Sequence, residues 1–204
     1  MPDSSFRARL PNMLSWLRIA MTPLVPVCFF LPGPGPLLAL AVFLLAALTD
    51  YWDGRLARET GASSPFGAFL DPVADKLLVC ATLLLLVADP EPEVSRGLLG
   101  ILAAAIILRE IVQSALRDWM AQAGRSAAVA VTGLSKAKTA TQLTGLGMLL
   151  GHDGAVWLLP FIPAVLFTII AWIGAVCLAA AAVLGLMSLG QFLRAAFGGL
   201  DSKD

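Results

Sequence analysis

Residues 37–87 read LLALAVFLLAALTDYWDGRLARETGASSPFGAFLDPVADKLLVCATLLLLV. Two apolar runs flank a centre that carries four aspartates, Asp50, Asp53, Asp71 and Asp75. About 20 apolar residues cross a bilayer as a helix. The stretch therefore predicts two membrane-spanning helices whose acidic ends meet at one membrane surface. Ser64 suits a helix N-cap and Pro65 the first helical position.

The same dressing continues outward in both directions. The chain has 204 residues, 58% of them hydrophobic and 14% charged, with a mean hydropathy of +0.84. Soluble domains carry about 45–50% apolar and about 25% charged residues. A first span is expected over 13–31, ending at the rigid turn Pro32-Gly-Pro-Gly-Pro36. The second runs from 37 and turns polar at Asp50, and the third runs from Pro65 through Val87. A fourth covers 97–120, after a short acidic loop at 89–96. A fifth covers about 138–151, with a turn at 152–157. A sixth lies within 158–190, its start confined to the membrane surface by Pro160 and Pro163.

The fold class expected is thus all-α, a polytopic membrane protein of six transmembrane helices. Residues 1–12 form an interfacial amphipathic segment, broken by Pro11-Asn12 and retained rather than cleaved. Residues 13–193 form the membrane domain and 194–204 a cytoplasmic tail. Gly147 and Gly151 form a GxxxG pair that marks close helix packing.

Basic residues orient the bundle. Arg7, Arg9 and Arg18 open span one, Arg55 and Arg58 follow span two, and Arg117, Arg125, Lys136 and Lys138 lie between spans four and five. Arg194 and Lys203 follow span six, whereas Arg96 stands on the other side among Asp89, Glu91, Glu93 and Asp153. The positive-inside rule places both termini and the acidic centre in the cytoplasm. His152 falls on the far side and receives no catalytic role. The net charge of +0 offers no case for nucleic acid, and none is expected as a partner. Cys28, Cys80 and Cys177 are spaced too far apart to form a metal site and read as inert thiols in apolar runs.

Residues three or four apart share one helix face. Asp50, Asp53, Gly54 and Ala57 make one stripe at the end of span two; Gly67, Asp71 and Asp75 make another at the start of span three. A short connection predicts the two helices as antiparallel neighbours, so the stripes converge if they face each other. Four close carboxylates repel and need neutralising. With no His or Cys beside them, hard divalent cations such as Mg²⁺ or Mn²⁺ suit the site. Two such ions bridge carboxylates and a diphosphate, and assist displacement at phosphorus. Gly54, Ala57 and Gly67 let a bulky group approach the backbone, and Arg58 can meet a phosphate. Two other readings compete: loop carboxylates paired with Arg55, Arg58 and Lys76, and a divalent-cation transporter.

The pattern D-x2-D-G-x2-A-R-x8-G-x3-D-x3-D, formed by Asp50, Asp53, Gly54, Ala57, Arg58, Gly67, Asp71 and Asp75, resembles the signature of the CDP-alcohol phosphatidyltransferase family. The resemblance implies a six-span fold, a homodimer, two metal ions (Mg²⁺ or Mn²⁺) and a CDP-activated lipid donor. It implies that Asp50, Asp53 and Asp71 mainly hold metal, and that Asp75 shares a metal and serves as the catalytic base. It implies that Asp53, Gly54, Ala57, Arg58 and Gly67 bind CDP-diacylglycerol. Geometry by itself does not separate Asp75 from the other three.

A second constellation lies on span four. Arg109, Gln113 and Arg117 are four residues apart and form a polar stripe with Glu110 and Ser114 in an apolar helix. Lys136 and Lys138 follow. Arg109, Arg117, Lys136 and Lys138 suit an acceptor that carries a phosphate. The alternative is that Arg109 pairs with Glu110 or an aspartate, and that the lysines set topology against lipid phosphates. Arg109-Glu110-Ile111, Ser114-x-Leu116-Arg117-Asp118-Trp119-Met120-Ala121, Lys136-x-Lys138-Thr139 and the opening Pro11-Asn12-Met-Leu-Ser15-Trp-Leu-Arg18 are similar to the bacterial branch of the family that uses glycerol 3-phosphate. Ser15 and Ser135 depart from it, standing where Thr and Gly are expected. The likeness covers 11–145 and implies transfer of a phosphatidyl group to glycerol 3-phosphate, with release of CMP, at the bacterial inner membrane. Branches that use inositol phosphate, serine or phosphatidylglycerol share the core. The last span and the tail carry no signature. Pro72 either kinks span three to aim Asp75 or marks ordinary helix entry.

Overall fold

The computed structural model describes residues 4–60, 65–122 and 133–197. Ser63 and Ser64, the 123–132 stretch with Arg125, and the tail from 198 lie outside the described residues. So do the side chains of residues 4–12, Asp50, Asp53, Ala57, Arg58 and Lys136. Among the described residues the regular structure is helical throughout: α1 (Ser4–Met21), α2 (Leu24–Phe29), α3 (Gly35–Thr60), α4 (Pro65–Ala88), α5 (Arg96–Gln122), α6 (Gly133–Leu158) and α7 (Ala164–Phe197).

The six long helices close into a ring. α1 packs on α3 and α4, α3 on α6, α6 on α7, α7 on α5 and α5 on α4. α4 also reaches α6 across the ring, and α2 packs on α3. The expectation that α3 and α4 are antiparallel neighbours concerns 50–66, most of whose side chains lie outside the described residues. The described residues of α3 and α4 touch each other little, and α1 lies against both. A short connection limits how far apart two helix ends lie but leaves their divergence free, so a third helix fills the gap.

Proline and glycine reveal where local signals mislead. Span one is expected as a single helix over 13–31 but is interrupted at Thr22-Pro23. Pro23 has no N–H to give, and its ring would clash with the carbonyl four residues back. Thr22 ends α1 by donating both its N–H and its hydroxyl to the Arg18 carbonyl, at 3.0 and 2.9 Å. Pro11, expected as a break, lies within α1. It removes one backbone bond from the helix without ending it. Pro72 lies inside α4 rather than at its entry. The Pro32–Pro36 turn forms as expected: Gly33 has φ +70°, and a Cβ on Gly35 would lie 2.7 Å from the Cys28 carbonyl oxygen.

The turn expected at 152–157 is absent, because α6 runs on to Leu158. Gly154 is a contact point, not a turn residue, and Gly151 marks close helix packing as expected. A Cβ on Gly154 would stand 2.7 Å from the Leu37 amide nitrogen, and one on Gly151 would stand 2.9 Å from Leu40 Cδ2. Gly145 and Gly174 bring α6 and α7 together in the same way, each site leaving about 3 Å between a would-be Cβ and the other's carbonyl oxygen (2.8 and 3.1 Å). In lipid the hydrophobic drive between helices is lost, so close backbone approach at small residues supplies contact.

The core is apolar, with Phe43, Leu78, Leu83, Leu146, Leu150 and Leu178 at most 2% exposed. The exterior is apolar as well: Leu84, Ile101, Leu108 and Val176 are 60–69% exposed. Water does not tolerate so extensive an apolar surface on a monomer, but hydrocarbon does. Among the described residues α5 and Ala164–Arg194 of α7 are long and apolar enough to cross a membrane. The three cysteines are free and partly buried. Arg18, expected as a surface topology charge, is fully buried and engaged within the bundle.

Candidate active site

α4 carries Asp71 and Asp75 one turn apart because a continuous helix brings residues i and i+4 to one face. Both line a cavity of about 530 Å³, a volume suited to a small ligand. Arg109, Glu110, Gln113 and Arg117 of α5 line it too, with Lys138 and Thr139 of α6. The ring thus joins two constellations that lie far apart in sequence. Of the residues expected at the site, Asp71, Asp75, Arg109, Arg117 and Lys138 come together on this wall. Gly67 is buried in the first turn of α4. The backbone of Asp50, Asp53, Gly54, Ala57 and Arg58 belongs to the last turns of α3, and that of Lys136 to the first turn of α6.

Glu110 is the electrostatic hub. Its Oε1 accepts from Arg109 Nη1 at 2.6 Å and from Lys138 Nζ. The Arg109, Glu110 and Lys138 side chains are 3%, 16% and 9% exposed. Two cations share one carboxylate there, so the triad keeps one positive charge beside the cavity. Asp75 on the same cavity adds an opposing charge near Lys138, and a bound anion can also meet the triad's cations. Arg109 also donates from Nε to the Gly185 carbonyl at 3.1 Å. The pairing of Arg109 with Glu110, open in the sequence, is thus present, and Arg109 still lies on the cavity wall.

Three supporting contacts have little or no sequence signal. Ser15 of α1 donates a hydrogen bond to Asp71 Oδ1. The Arg117 guanidinium stands 5.9 Å from the centroid of the Phe192 ring. Gly185 and Phe192 both lie on α7, so the helix without a signature contacts Arg109 and Arg117 of α5. Ser15 lies in the opening likeness quoted above; nothing local marks Gly185 or Phe192. At the other end of α4, Arg96 ties the 89–95 loop by donating to the Asp89 carbonyl at 2.9 and 3.1 Å. His152 lies 3.9 Å from Glu93 at that end. From Asp71 to Ala88 is roughly 25 Å of helix, which separates His152 from the cavity.

α4 presents the carboxylates of Asp71 and Asp75 to the cavity, with Lys76 beside them, and carboxylate oxygens are what a hard divalent cation takes. Asp71 and Asp75 fit such an ion. Among the described residues no group of three His, Cys, Asp or Glu side chains is gathered as a metal site. The other two expected ligands, Asp50 and Asp53, are outside the described side chains.

Residues 8–187 match the CDP-alcohol phosphatidyltransferase family. Among similar proteins is the CDP-diacylglycerol–glycerol-3-phosphate 3-phosphatidyltransferase of Salmonella choleraesuis, 38% identical over 192 residues, which is 94% of this chain and 96% of that one. The enzyme of the same name from Pectobacterium atrosepticum is 40% identical over 188 residues, 92% of this chain and 94% of its own. A cardiolipin synthase (CMP-forming) of Oryza sativa is 49% identical over 148 residues, 69% of this chain and 45% of its own. The matched region runs from α1 into α7 and takes in every side chain on the cavity wall, and so the chain belongs to the CDP-alcohol phosphatidyltransferase family.

Proposed function

We propose that this phosphatidyltransferase moves the phosphatidyl group of CDP-diacylglycerol onto sn-glycerol 3-phosphate, giving phosphatidylglycerophosphate and CMP. One observation carries the reading: Asp71 and Asp75 share a cavity wall with Arg109, Arg117 and Lys138. Carboxylates for a metal-bound diphosphate stand opposite cations for a second phosphate. The names of the bacterial relatives that this chain matches end to end support the same acceptor.

The steps follow from the side chains. Asp53, Gly54, Ala57, Arg58 and Gly67 receive the donor head group. Arg109, Arg117, Lys136 and Lys138 receive the acceptor phosphate, with Arg117 and Lys138 presenting charge to the cavity. Asp75 takes the proton from the acceptor's primary hydroxyl. That oxygen bonds to the lipid-linked phosphorus as the bond to CMP breaks. Asp50, Asp53, Asp71 and Asp75 would hold two Mg²⁺ or Mn²⁺, which when bound neutralise the diphosphate and the leaving nucleotide. Holding both substrates in one cavity supplies much of the rate.

In this reading residues 13–193 form a six-span domain of the bacterial inner membrane. Residues 1–12 lie at the interface, while the cavity, both termini and the 194–204 tail face the cytoplasm, and two copies associate. The cytosolic acceptor and the lipid donor then meet at one membrane surface.

A second reading places phosphatidylglycerol as acceptor, favoured by the 49% identity to the rice relative. Its phosphodiester carries one negative charge, whereas glycerol 3-phosphate carries nearly two near neutral pH. The cations Arg109, Arg117 and Lys138 on the wall suit the latter. Purified protein in lipid nanodiscs, given CDP-diacylglycerol, Mg²⁺ or Mn²⁺ and each acceptor in turn, decides the matter by CMP release. Release with glycerol 3-phosphate, abolished by chelator, is expected. Release with phosphatidylglycerol alone sustains the second reading, and no CMP with any acceptor leaves the transporter reading.

A further inference from the structure

Two buried side-chain amide oxygens, Gln113 Oε1 on α5 and Gln142 Oε1 on α6, have no hydrogen-bond partner among the described residues. Gln113 is 7% exposed and Gln142 is 3% exposed. A polar group left unpaired in a dry interior costs stability, and folded proteins keep few of them without a reason. The two glutamines differ in the room beside them. Gln142 lines a side pocket of about 10 Å³, space for about one water. Gln113 lines the 530 Å³ cavity itself, one turn from Arg109 and one turn from Arg117.

The chemistry around Gln113 defines what suits it. Arginine and lysine donate hydrogen bonds but cannot accept one. Glu110 Oε1 already accepts from Arg109 and Lys138, and the other acceptors on the wall are the carboxylates of Asp71, Asp75 and Asp118 and the hydroxyls of Ser114 and Thr139. An amide offers both an acceptor and two donors, and rotation of its last torsion exchanges their places. Gln113 is therefore a neutral, buried group between two phosphate-seeking arginines, able to accept a hydrogen bond from a hydroxyl. In glycerol 3-phosphate the secondary hydroxyl lies between the phosphate and the primary hydroxyl that reacts. A phosphate near Arg117 and a primary hydroxyl at Asp75 leave that middle hydroxyl to the wall between them.

We propose that Gln113 is a specificity-determining residue whose side-chain amide hydrogen-bonds the secondary hydroxyl of the acceptor. This rests on the glycerol 3-phosphate reading above and adds to it the group that recognises the polyol.

The test compares glycerol 3-phosphate with 3-hydroxypropyl phosphate, which lacks that hydroxyl and nothing else. Wild type and Gln113→Leu are assayed in nanodiscs with CDP-diacylglycerol and Mg²⁺, and kcat/KM is taken from CMP release. Wild type is expected to prefer glycerol 3-phosphate by at least about tenfold, the loss that follows an unpaired buried polar group. Gln113→Leu is expected to bring the two substrates within about threefold of each other, because the amide no longer tells them apart. A wild type that treats both alike overturns the proposal, as does a variant that keeps the wild-type ratio. Should Gln113→Leu lose turnover on both substrates, Gln113→Met preserves side-chain length without the amide, and its ratio decides. A wild type that turns over neither phosphate fails at the functional reading instead, and that outcome is separately visible.

Discussion

Ser15 on α1 donates a hydrogen bond to the carboxylate of Asp71 on α4, 56 residues away. Ser15 is fully buried, while Asp71 faces the cavity. The bond ties the N-terminal helix to a proposed metal ligand and restricts which way that carboxylate turns. Groups that orient a metal ligand typically change metal affinity or activity by about 10–100-fold when removed. Ser15→Ala is expected to raise the Mg²⁺ concentration needed for half-maximal CMP release by about tenfold. Ser15→Thr keeps the hydroxyl and is expected to stay near wild type. An unchanged Mg²⁺ titration in Ser15→Ala would show that the bond only packs α1.

In the proposed mechanism Asp75 is the base, and the isosteric Asp75→Asn cannot take a proton. Turnover is expected to fall by about 10²–10⁴-fold. Binding of CDP-diacylglycerol, measured by ligand-dependent thermal shift, is expected to remain. Turnover at the wild-type rate would remove Asp75 from the chemistry.

Arg117 faces the cavity with its guanidinium beside the Phe192 ring. Charged hydrogen bonds contribute about 1.5–3 kcal/mol each. Arg117→Ala is expected to raise KM for glycerol 3-phosphate by about tenfold or more, while KM for CDP-diacylglycerol stays within about twofold. Phe192→Ala removes a cation–π contact of about 0.5–1 kcal/mol and is expected to shift the same constant less, in the same direction. Equal effects on both substrates would assign Arg117 to the donor or to folding.

Glu110 separates two buried cations. Glu110→Gln leaves Arg109 and Lys138 without the carboxylate they share. Breaking a buried pair from one side costs about 3–5 kcal/mol, so a clearly lower melting temperature is expected in detergent or nanodiscs. Added inorganic phosphate is expected to recover part of it, since an anion in the cavity can replace the lost charge. A melting temperature unchanged by the substitution would mean that the triad is solvated and weak.

Gly154 meets the Leu37 backbone too closely for any side chain. Gly154→Leu is expected to separate α6 from the start of α3 and to cost about 1–3 kcal/mol by overpacking. The measurement is thermal unfolding of the purified protein. Gly97, with open space around its would-be Cβ, serves as the control, and Gly97→Ala is expected to leave stability unchanged or raise it slightly.

The helices were legible because their cues are local. Apolar runs of membrane length, Pro65 at a helix start and the Pro32–Pro36 turn each act within a few residues, and α3, α4, α5 and α7 fall close to where those cues place them. The aspartate spacing was legible for the same reason: helical periodicity relates Asp71 to Asp75 whatever surrounds them. Two local cues misled. Gly154 resembles a turn residue but is small because Leu37 lies against it, and Pro11 resembles a break but lies within α1. Sequence cannot separate these uses of glycine, since the distinguishing neighbour lies on another helix.

The chain's own order of residues determined the helical class, the acidic motif and the basic stripe on α5, because each depends on spacing along one segment. Tertiary structure alone decided that α1 lies against both α3 and α4, that Asp71 and Asp75 share a cavity with Arg117 and Lys138, and that α7 contacts the arginines through Gly185 and Phe192. Those relationships depend on how whole helices pack, and packing is set by shape and small residues on facing surfaces, which no single segment records.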